Sequence, residues 1–334
     1  GVGYLYMKTG TLNMFDIHAI LGRHPDIADS KAITIAFIFI LVGIWIKMAF
    51  FPLYGWLPNA YSYCPSSSAC ILAPLMTKIS VYVMIRVMFT IFGLDWVFES
   101  AMWSNLVVWL SVIAILAGSM LALAQGELKK MFCYLIIAEV GYMVGGAWLA
   151  DEELWGLTGA LYHILADAAM TLCLFLAAGI FVKRFGIRRI DEMGGIFRKA
   201  PWASVGFVIG GLAIIGVPPT CGFFSKFYLI RGGIDSGHWE YVVALLVSSL
   251  VNAVLFFRIF EIAFFGKNPP EGHGHHHEEP EVDSTPREVF PAWAGNVPLL
   301  TTAAIIILLG LFNGQVVELI RSVFDDFPNV AGKF

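Results

Sequence analysis

Long apolar stretches alternate with short polar segments along almost the whole chain. An α-helix needs about 20 mostly apolar residues to cross the hydrocarbon core of a bilayer, and stretches of that length recur from residue 32 onward. The pattern therefore predicts an all-α integral membrane protein with about eight transmembrane helices. The predicted spans are residues 32–58, 67–92, 103–124, 129–149, 154–182, 202–231, 238–265 and 293–320.

The composition agrees with a membrane protein and excludes one broad class of function. Of the 334 residues, 58% are hydrophobic and 14% are charged, with a mean hydropathy of +0.75, whereas soluble domains carry about 25% charged residues. The formal net charge of −4 offers no basic surface for nucleic acid. We therefore expect the lipid bilayer, and no nucleic acid, as a partner.

The basic residues of the loops are unevenly distributed between the two sides of the predicted bundle. Eight crossings place both termini on one side, whose loops hold six lysines and arginines, whereas the opposite loops hold ten. Because cytoplasmic loops carry excess lysine and arginine, the second side is assigned to the cytoplasm and both termini to the outer face of a cell inner membrane. Lys129 and Lys130 lie at the cytoplasmic mouth, where they could set the topology or admit protons.

No metal or cofactor site is expected. Glycine and proline punctuate the Glu- and His-rich segment 266–292, which is typical of a flexible, solvated loop. Its four histidines could bind a metal, but no structured ligand set surrounds them, and the five cysteines stand singly, without the spacing of zinc or iron–sulfur sites. These residues are His273, His275, His276, His277, Cys64, Cys70, Cys133, Cys173 and Cys221.

Three lysines lie inside the predicted spans, where each costs about 2.5–3.5 kcal/mol at the bilayer centre. Lys47 is followed five residues later by Pro52, and Lys226 follows a run of glycines and prolines. Proline and glycine interrupt helical hydrogen bonds and expose backbone carbonyls, and paired broken helices indicate the ion path of a transporter. The residues that predict the second break are Pro218, Pro219 and Gly222.

Lys78 lies near the middle of the second span, where burial would favour release of its proton. The alternative is that each lysine only pairs with a carboxylate of a neighbouring chain. Three lysines, two of them beside helix breaks, favour ion conduction over that alternative.

Further titratable groups lie at membrane depth in two other spans. His163, Asp167 and Thr171 are spaced at i, i+4 and i+8, which places them on one helix face, where they could form a proton relay or a structural hydrogen-bonded pair. Glu139 could be a stop for protons or a counter-charge for one of the lysines, and the sequence leaves both roles open.

Three motifs around these residues, in a fixed order, identify a resemblance that covers nearly the whole chain. The segments KMAFFPLYGWLPNAYSYCPSSSACILAPLMTKISVYVMIR, ELKKMFCYLIIAEVGYM and GVPPTCGFFSKFYLI resemble the antiporter-like membrane subunits of respiratory complex I, membrane-bound hydrogenases and Mrp-type cation/proton antiporters, and most closely the Mrp D type. The resemblance implies that Lys47, Lys78 and Lys226 match the lysines of the family's seventh, eighth and broken twelfth helices. The inverted repeats of the family agree with the two proline-broken spans.

Two departures from the family pattern accompany this resemblance. Family members usually have fourteen helices, and this sequence corresponds to helices seven to fourteen, so the fifth-helix glutamate that partners Lys47 would come from another chain or a missing part. In the eleventh helix, D-type relatives often carry His-x-x-x-His-x-x-x-Lys, where this chain has His163, Asp167 and Thr171. A relay through this helix would then depend on Asp167 or Glu139.

These features predict a proton-translocating subunit of a larger membrane complex that holds no redox centre itself. Its expected partners are other membrane subunits, including a chain that supplies the first six helices, and a redox module. The alternatives are a sodium/proton antiporter subunit of the Mrp type and a degenerate scaffold subunit. The expected organisation is an outer-face loop at 1–30, a proton-channel helical domain at 31–265, the cytoplasmic loop at 266–292, and a C-terminal transmembrane helix with its tail at 293–334.

Overall fold

The computed structural model describes residues 1–99, 101–266 and 292–325, and their regular secondary structure is helical. The helices are α1 (Val2–Thr9), α2 (Met14–Arg23), α3 (Pro25–Ala28), α4 (Lys31–Met48), α5 (Trp56–Tyr63), α6 (Ser66–Val87), α7 (Leu94–Glu99), α8 (Ala101–Leu123), α9 (Leu128–Ala147), α10 (Trp155–Phe185), α11 (Ile196–Lys199), α12 (Pro201–Ile215), α13 (Cys221–Asp235), α14 (Trp239–Phe265), α15 (Ala292–Leu311) and α16 (Asn313–Asp325). A π-helical turn, Met88–Phe92, extends α6, and a 3₁₀ turn, Asp191–Met193, precedes α11.

Seven helical segments of the described residues are long and apolar enough to cross a membrane, and they correspond to seven of the eight predicted spans. This finding confirms a helical membrane protein with several spans. The segments are Lys31–Met48, Ser66–Phe92, Trp103–Leu123, Leu128–Ala147, Trp155–Phe185, Trp239–Phe265 and Trp293–Leu311.

The remaining predicted span, 202–231, consists of two helices. Helix α12 has 15 residues, which at 1.5 Å per residue is shorter than the hydrocarbon core, and α13 begins after a five-residue connection. Gly216 ends α12 with a φ of +92°, in the left-handed region that favours glycine. At Gly222 a Cβ atom would lie 1.9 Å from the carbonyl oxygen of Ala213. The two half-helices therefore approach each other so closely that only glycine fits at this position.

The predicted span 32–58 also differs from a single continuous helix. Helix α4 ends at Met48, Ala49 has a left-handed φ of 59°, and the Phe51–Pro52 peptide bond is cis. Helix α5 starts only at Trp56, whose indole nitrogen donates a hydrogen bond of 2.7 Å to the carbonyl oxygen of Ile46. Proline disfavours helical backbone in the residue before it, so the chain leaves the helix before Pro52.

Residues 1–30, which the sequence predicts as a loop, contain the three helices α1 to α3. The side chain of Asn13 caps α2 by accepting a hydrogen bond from the backbone nitrogen of Phe15. Leu5, Ile17 and Leu21 are buried, and α1 packs on α4 while α2 packs on the π-helical turn. These helices are too short and too polar to stand out in a search for membrane spans, so the hydropathy pattern missed them.

Helix α10 is the centre of the bundle. It is the longest helix, with 31 residues, and it packs against α6, α9, α12, α13 and α15. The inward faces of these helices therefore meet along α10. The predicted loop 266–292, with its four histidines, lies outside the described residues except at its two ends.

Candidate functional site: a buried set of ionisable side chains

One buried ion pair joins α6 to α10. Lys78 Nζ lies 2.9 Å from Asp167 Oδ2, and the two side chains are 2% and 0% exposed. Lys78 Nζ also donates to Thr171 Oγ1 at 3.2 Å, and Thr171 Oγ1 donates to Asp167 Oδ1 at 2.7 Å. The counter-charge of Lys78 therefore belongs to this chain, and not to a neighbouring chain.

A second buried pair joins α9 to α10 and extends to α13. His163 Nε2 lies 2.7 Å from Glu139 Oε2, and His163 Nδ1 lies 2.8 Å from Ser225 Oγ. Ser225 in turn donates to the carbonyl oxygen of Gly222, one of the residues of the predicted break. Glu139 is thus the partner of a histidine and forms no direct ion pair with a lysine among the described residues.

Lys226 is stabilised by dipoles instead of a carboxylate. Its Nζ donates to the carbonyl oxygens of Ile214, at 2.6 Å, and Ile215, at 3.4 Å, and to Ser249 Oγ at 3.1 Å. The carbonyls at the end of a helix lack helical partners and carry a partial negative charge. The ring of Tyr142 lies 5.2 Å from the ammonium, within cation–π range. The end of α12 is therefore a site for the buried ammonium of α13.

A small cavity lies between the two ionisable pairs. Glu139 from one pair and Asp167 and Thr171 from the other line it, together with Ile214, whose carbonyl accepts from Lys226. Its volume is about 10 Å³, which is on the order of the space that one water molecule needs. Glu139 Oε1 has no hydrogen-bond partner among the described residues. One water in this cavity would connect the Glu139–His163 pair to the Lys78–Asp167 pair.

Several hydroxyl groups of the site were missed by the sequence reasoning. Ser248 Oγ lies 2.5 Å from Tyr142 Oη and 2.5 Å from Ser119 Oγ, and Ser225 and Ser249 contact His163 and Lys226. Serines in apolar helices are common packing residues, so their identity alone carries no signal. The signal that was available is the position of Ser225 immediately before Lys226.

The remaining predicted residues lie apart from the buried set. Lys47 is exposed on the surface of the chain, in contrast to the prediction of a lysine buried at a helix break, because no described helix covers the end of α4 at that point. Lys129 and Lys130 are half-buried at the start of α9, and Lys129 Nζ donates to the carbonyl oxygen of Cys64 at 3.4 Å. Pro52 lies in the connection after α4, and Pro218 and Pro219 lie in the connection after α12.

Asp151, in the connection before α10, fixes the start of that helix. Its carboxylate accepts hydrogen bonds from the backbone nitrogens of Trp155 and Gly156. Burial raises the pKa of Asp151 to about 6, although these backbone hydrogen bonds act in the opposite direction. The residue that orients the helix carrying His163 and Asp167 is thus itself titratable.

The fold and the site together define a class: a polytopic helical membrane protein with ionisable side chains buried between its helices. The chain belongs to the family described as "NADH:quinone oxidoreductase/Mrp antiporter, TM", whose model matches residues 1–252.

Individual relatives agree with this assignment. The chain is 40% identical over 318 residues to the N subunit of the NADH-quinone oxidoreductase of Desulforudis audaxviator, and 31% identical over 325 residues to the D-type subunit of the Na(+)/H(+) antiporter of Bacillus subtilis. These alignments cover 95% and 97% of this chain, but only 62% and 61% of the relatives. The chain therefore spans about three fifths of the length of the curated relatives it matches.

Solved structures share the fold. The Mrp complex from Dietzia sp. contains a chain with a TM-score of 0.80 at 24% identity, covering 95% of this chain and 62% of that one. A chain of respiratory complex I from Thermus thermophilus has a TM-score of 0.79 at 22% identity, covering 99% of this chain and 65% of that one. At these identities the similarity extends to the fold alone.

Proposed function

We propose that this chain is a proton-translocating, antiporter-like subunit of a larger membrane complex. One observation carries the proposal: Lys78, Asp167, Glu139, His163 and Lys226 are all buried, and hydrogen bonds and one small cavity connect most of them. Ionisable groups are costly in a membrane and mark ion pathways when they are grouped. A scaffold would have no need of such a set.

The side chains have distinct roles in this proposal. The Lys78–Asp167 pair exchanges a proton with the cavity, because protonation of Asp167 removes the counter-charge of Lys78 and favours proton release from its ammonium. His163 then carries the proton between Glu139 and Ser225, since each ring nitrogen contacts one of them. Lys226 is the exit, where helix-end carbonyls hold an ammonium without fixing it in an ion pair.

In the membrane, α12 and α13 together would form one further crossing, which brings the total to eight. The breaks after Met48 and Ile215 would correspond to the broken seventh and twelfth helices of the family, and the chain to helices seven to fourteen. With the basic loop 183–201 in the cytoplasm, both termini lie on the outer face of a cell inner membrane. Residues 31–265 then form the conducting domain, and the C-terminal helix that begins near residue 293 packs beside it.

The exposed residues of α4 favour a partner subunit that covers this helix. Ile35, Phe39, Val42 and Ile46 are exposed along one side of this helix, at the spacing of a single helix face, and the exposed Lys47 lies beside them. Lipid suits the apolar stripe but not an ammonium, which costs about 2.5–3.5 kcal/mol at depth. We propose that a partner supplying the first six family helices packs here and provides an acidic residue for Lys47.

A sodium/proton antiporter subunit is the second candidate, favoured by the 31% identity to the D-type antiporter subunit. The same lysines would serve both activities. Sodium dependence of transport by the assembled complex favours this second candidate, whereas co-purification of a redox module with iron–sulfur clusters favours a redox-driven pump.

The variant Lys226→Ala distinguishes conduction from a scaffold role. We expect the complex to assemble with this variant and to lose proton transport, measured with a pH-sensitive dye in vesicles. The matched control is Lys199→Ala, which removes an exposed lysine at the end of α11 and should leave transport intact. Full transport by an assembled complex that carries Lys226→Ala would contradict the proposal.

A further inference from the structure

A second set of polar side chains, of which Ser249 is half-buried and the others are buried, leads away from Lys226 along α14. Ser249, which accepts a hydrogen bond from Lys226, is followed one turn later by Asn252. Ser248, on the turn before Asn252, bonds to Tyr142 and to Ser119. These groups lie between α8, α9 and α14.

Asn252 is the unusual member of this set. Its side chain is 0% exposed, and neither its amide oxygen nor its amide nitrogen has a hydrogen-bond partner among the described residues. A buried amide without partners costs several kcal/mol in an apolar medium, and buried polar groups of this kind are usually satisfied by ordered water. Asn252 therefore indicates water at this depth of the bundle.

A cavity begins one helical turn beyond Asn252. Its volume is about 140 Å³, enough for several water molecules, and it lies between the ends of α8 and α14. Leu255 on α14 and Ala122 on α8, each three residues beyond a polar residue of the set, form its inner wall. Polar groups lie toward the loops: the cavity is lined there by Gln125, Arg189, Asp191 and Arg258.

On both helices, polar residues of the set are followed by a residue that lines the cavity. On α14 the order is Ser248, Asn252 and then the cavity wall at Leu255, and on α8 the order is Ser119 and then the wall at Ala122. Residues three or four apart lie one turn apart on the same face of a helix. The hydroxyl groups, Asn252 and the cavity thus form a series of steps of about 5 Å, the pitch of one helical turn, which single waters can bridge.

We infer that a water-filled branch runs from this cavity past Asn252 to Lys226 and gives that lysine access to the side of the membrane that holds Arg189. The inference extends the proposed function, because it adds a second route to Lys226 beside the proposed route through His163. A proton leaving the Lys226 ammonium moves to Ser249 or an adjacent water, and each hydroxyl or water accepts one proton as it releases another. The amine that remains is neutral and can take up a proton again by either route.

Cysteine accessibility tests the branch without relying on transport. In the assembled complex, with the five native cysteines replaced by alanine, single variants are treated with a small, membrane-impermeant thiosulfonate from each side of the membrane. We expect Asn252→Cys to be labelled from the same side as Arg189→Cys, an exposed marker beside the cavity. The matched control Leu245→Cys, buried on the same helix two turns further from the cavity, should remain at background. Background labelling of Asn252→Cys, or labelling only from the side opposite to Arg189→Cys, would overturn the inference.

Transport by a second variant tests whether protons use the branch. Asn252→Leu keeps the branched shape of the side chain but removes the water-binding amide, and we expect it to lower proton transport about tenfold, the scale of one lost hydrogen bond. Thr302→Val, which removes a buried hydroxyl from α15, is the control and should have no effect. Labelling of Asn252→Cys combined with full transport by Asn252→Leu would overturn the path. If Asn252→Cys is labelled but Lys226→Ala transports protons fully, the water-filled branch exists and the proposed function is contradicted.

Discussion

The two buried lysines of the site are stabilised in different ways. Lys78 forms an ion pair with Asp167 and a hydrogen bond to Thr171, whereas the hydrogen-bond partners of Lys226 among the described residues are neutral oxygens. A carboxylate favours the charged lysine more strongly than carbonyl dipoles do. Proton release from Lys78 would therefore break an ion pair, whereas proton release from Lys226 would break only hydrogen bonds to neutral oxygens.

The contributions of Lys78 and Asp167 to the free energy of unfolding should be strongly coupled. Lys78→Met and Asp167→Leu each leave one buried charge without its partner, and we expect each to cost about 3–5 kcal/mol. The double variant removes both charges and should regain most of that loss. Chemical denaturation of the purified protein measures the coupling, and additive losses in the double variant would show that the two side chains do not interact.

The double variant also separates structure from conduction. If the pair serves only to hold α6 against α10, restored stability should restore transport. We expect transport to remain absent in the double variant, because neither replacement can carry a proton. Restored transport would assign the pair a structural role.

Asp151 should make the stability of the protein depend on pH. Its pKa is raised by burial from 3.8 to about 6, so the folded state binds a proton more tightly than the unfolded state does. Stability should therefore fall as pH rises from about 3.8 to about 6. Asp151→Asn keeps an oxygen for the backbone nitrogens of α10 but cannot titrate.

The measurement is the melting temperature of wild type and variant across that pH range. We expect the melting temperature of Asp151→Asn to increase relative to that of the wild type as pH rises. Above about pH 7 the difference in melting temperature should be constant. A constant difference at every pH would mean that the aspartate does not change its proton affinity on folding.

At the scale of the elements, the interruption between α12 and α13 organises the site around Lys226. Helix α12 ends at Ile215, beside the side chain of Lys226 on α13. The carbonyl oxygens of Ile214 and Ile215 therefore accept hydrogen bonds from the ammonium. The sequence predicts an interruption in this segment, because prolines and glycines there cannot continue a helix. It could not predict that α13 folds back against the end of α12, since that contact depends on the packing of helices distant in sequence.

The close contact at Gly222 should be intolerant of a single added carbon. In Gly222→Ala the new Cβ would meet the carbonyl oxygen of Ala213 at 1.9 Å, and overpacking of this kind costs about 1–3 kcal/mol. The control is Gly43→Ala on α4, where no heavy atom lies within 4 Å of the added carbon. Of the two variants, only Gly222→Ala should have a lower melting temperature in detergent. An equal decrease in both variants would show that the contact between Gly222 and Ala213 does not limit the size of the side chain.

The site also illustrates which pairings a sequence can predict. The spacing of His163, Asp167 and Thr171 placed them on one face of α10, and Thr171 does bond to Asp167 one turn away. Glu139 had two possible roles, and only the structure assigned it to His163. Pairing between residues of different helices follows from the rotation of each helix in the bundle, which the hydrophobic pattern of a nearly uniformly apolar helix does not fix.

At the scale of the whole molecule, the exposed surface of α4 is the feature expected to differ between the isolated chain and the assembled complex. The family assignment covers residues 1–252, whereas the relatives are considerably longer than this chain. Sequence reasoning predicted a buried Lys47, because it placed the lysine deep in a hydrophobic span. The side chain is exposed because burial depends on a neighbouring helix, and the described helices do not provide one at that point.

Lys47 should therefore become protected when the complex assembles. We expect an amine-reactive reagent to modify it in the isolated chain and not in the assembled complex, measured by peptide mass spectrometry. Lys199, an exposed lysine at the end of α11, serves as the reference and should react in both states. Equal reactivity of Lys47 in both states would contradict a partner on the face of α4.

If protons cross this protein through the buried ionisable side chains, replacing one of these side chains should slow their transport. The most direct test is the rate of proton transport by vesicles that contain the assembled complex with Glu139→Gln, compared with Glu318→Gln on the exposed surface of α16. Glutamine keeps the hydrogen bond to His163 but cannot exchange a proton, so we predict a loss of roughly 100-fold for Glu139→Gln and none for Glu318→Gln. Transport at the wild-type rate with Glu139→Gln, in a complex of unchanged composition, would contradict the account.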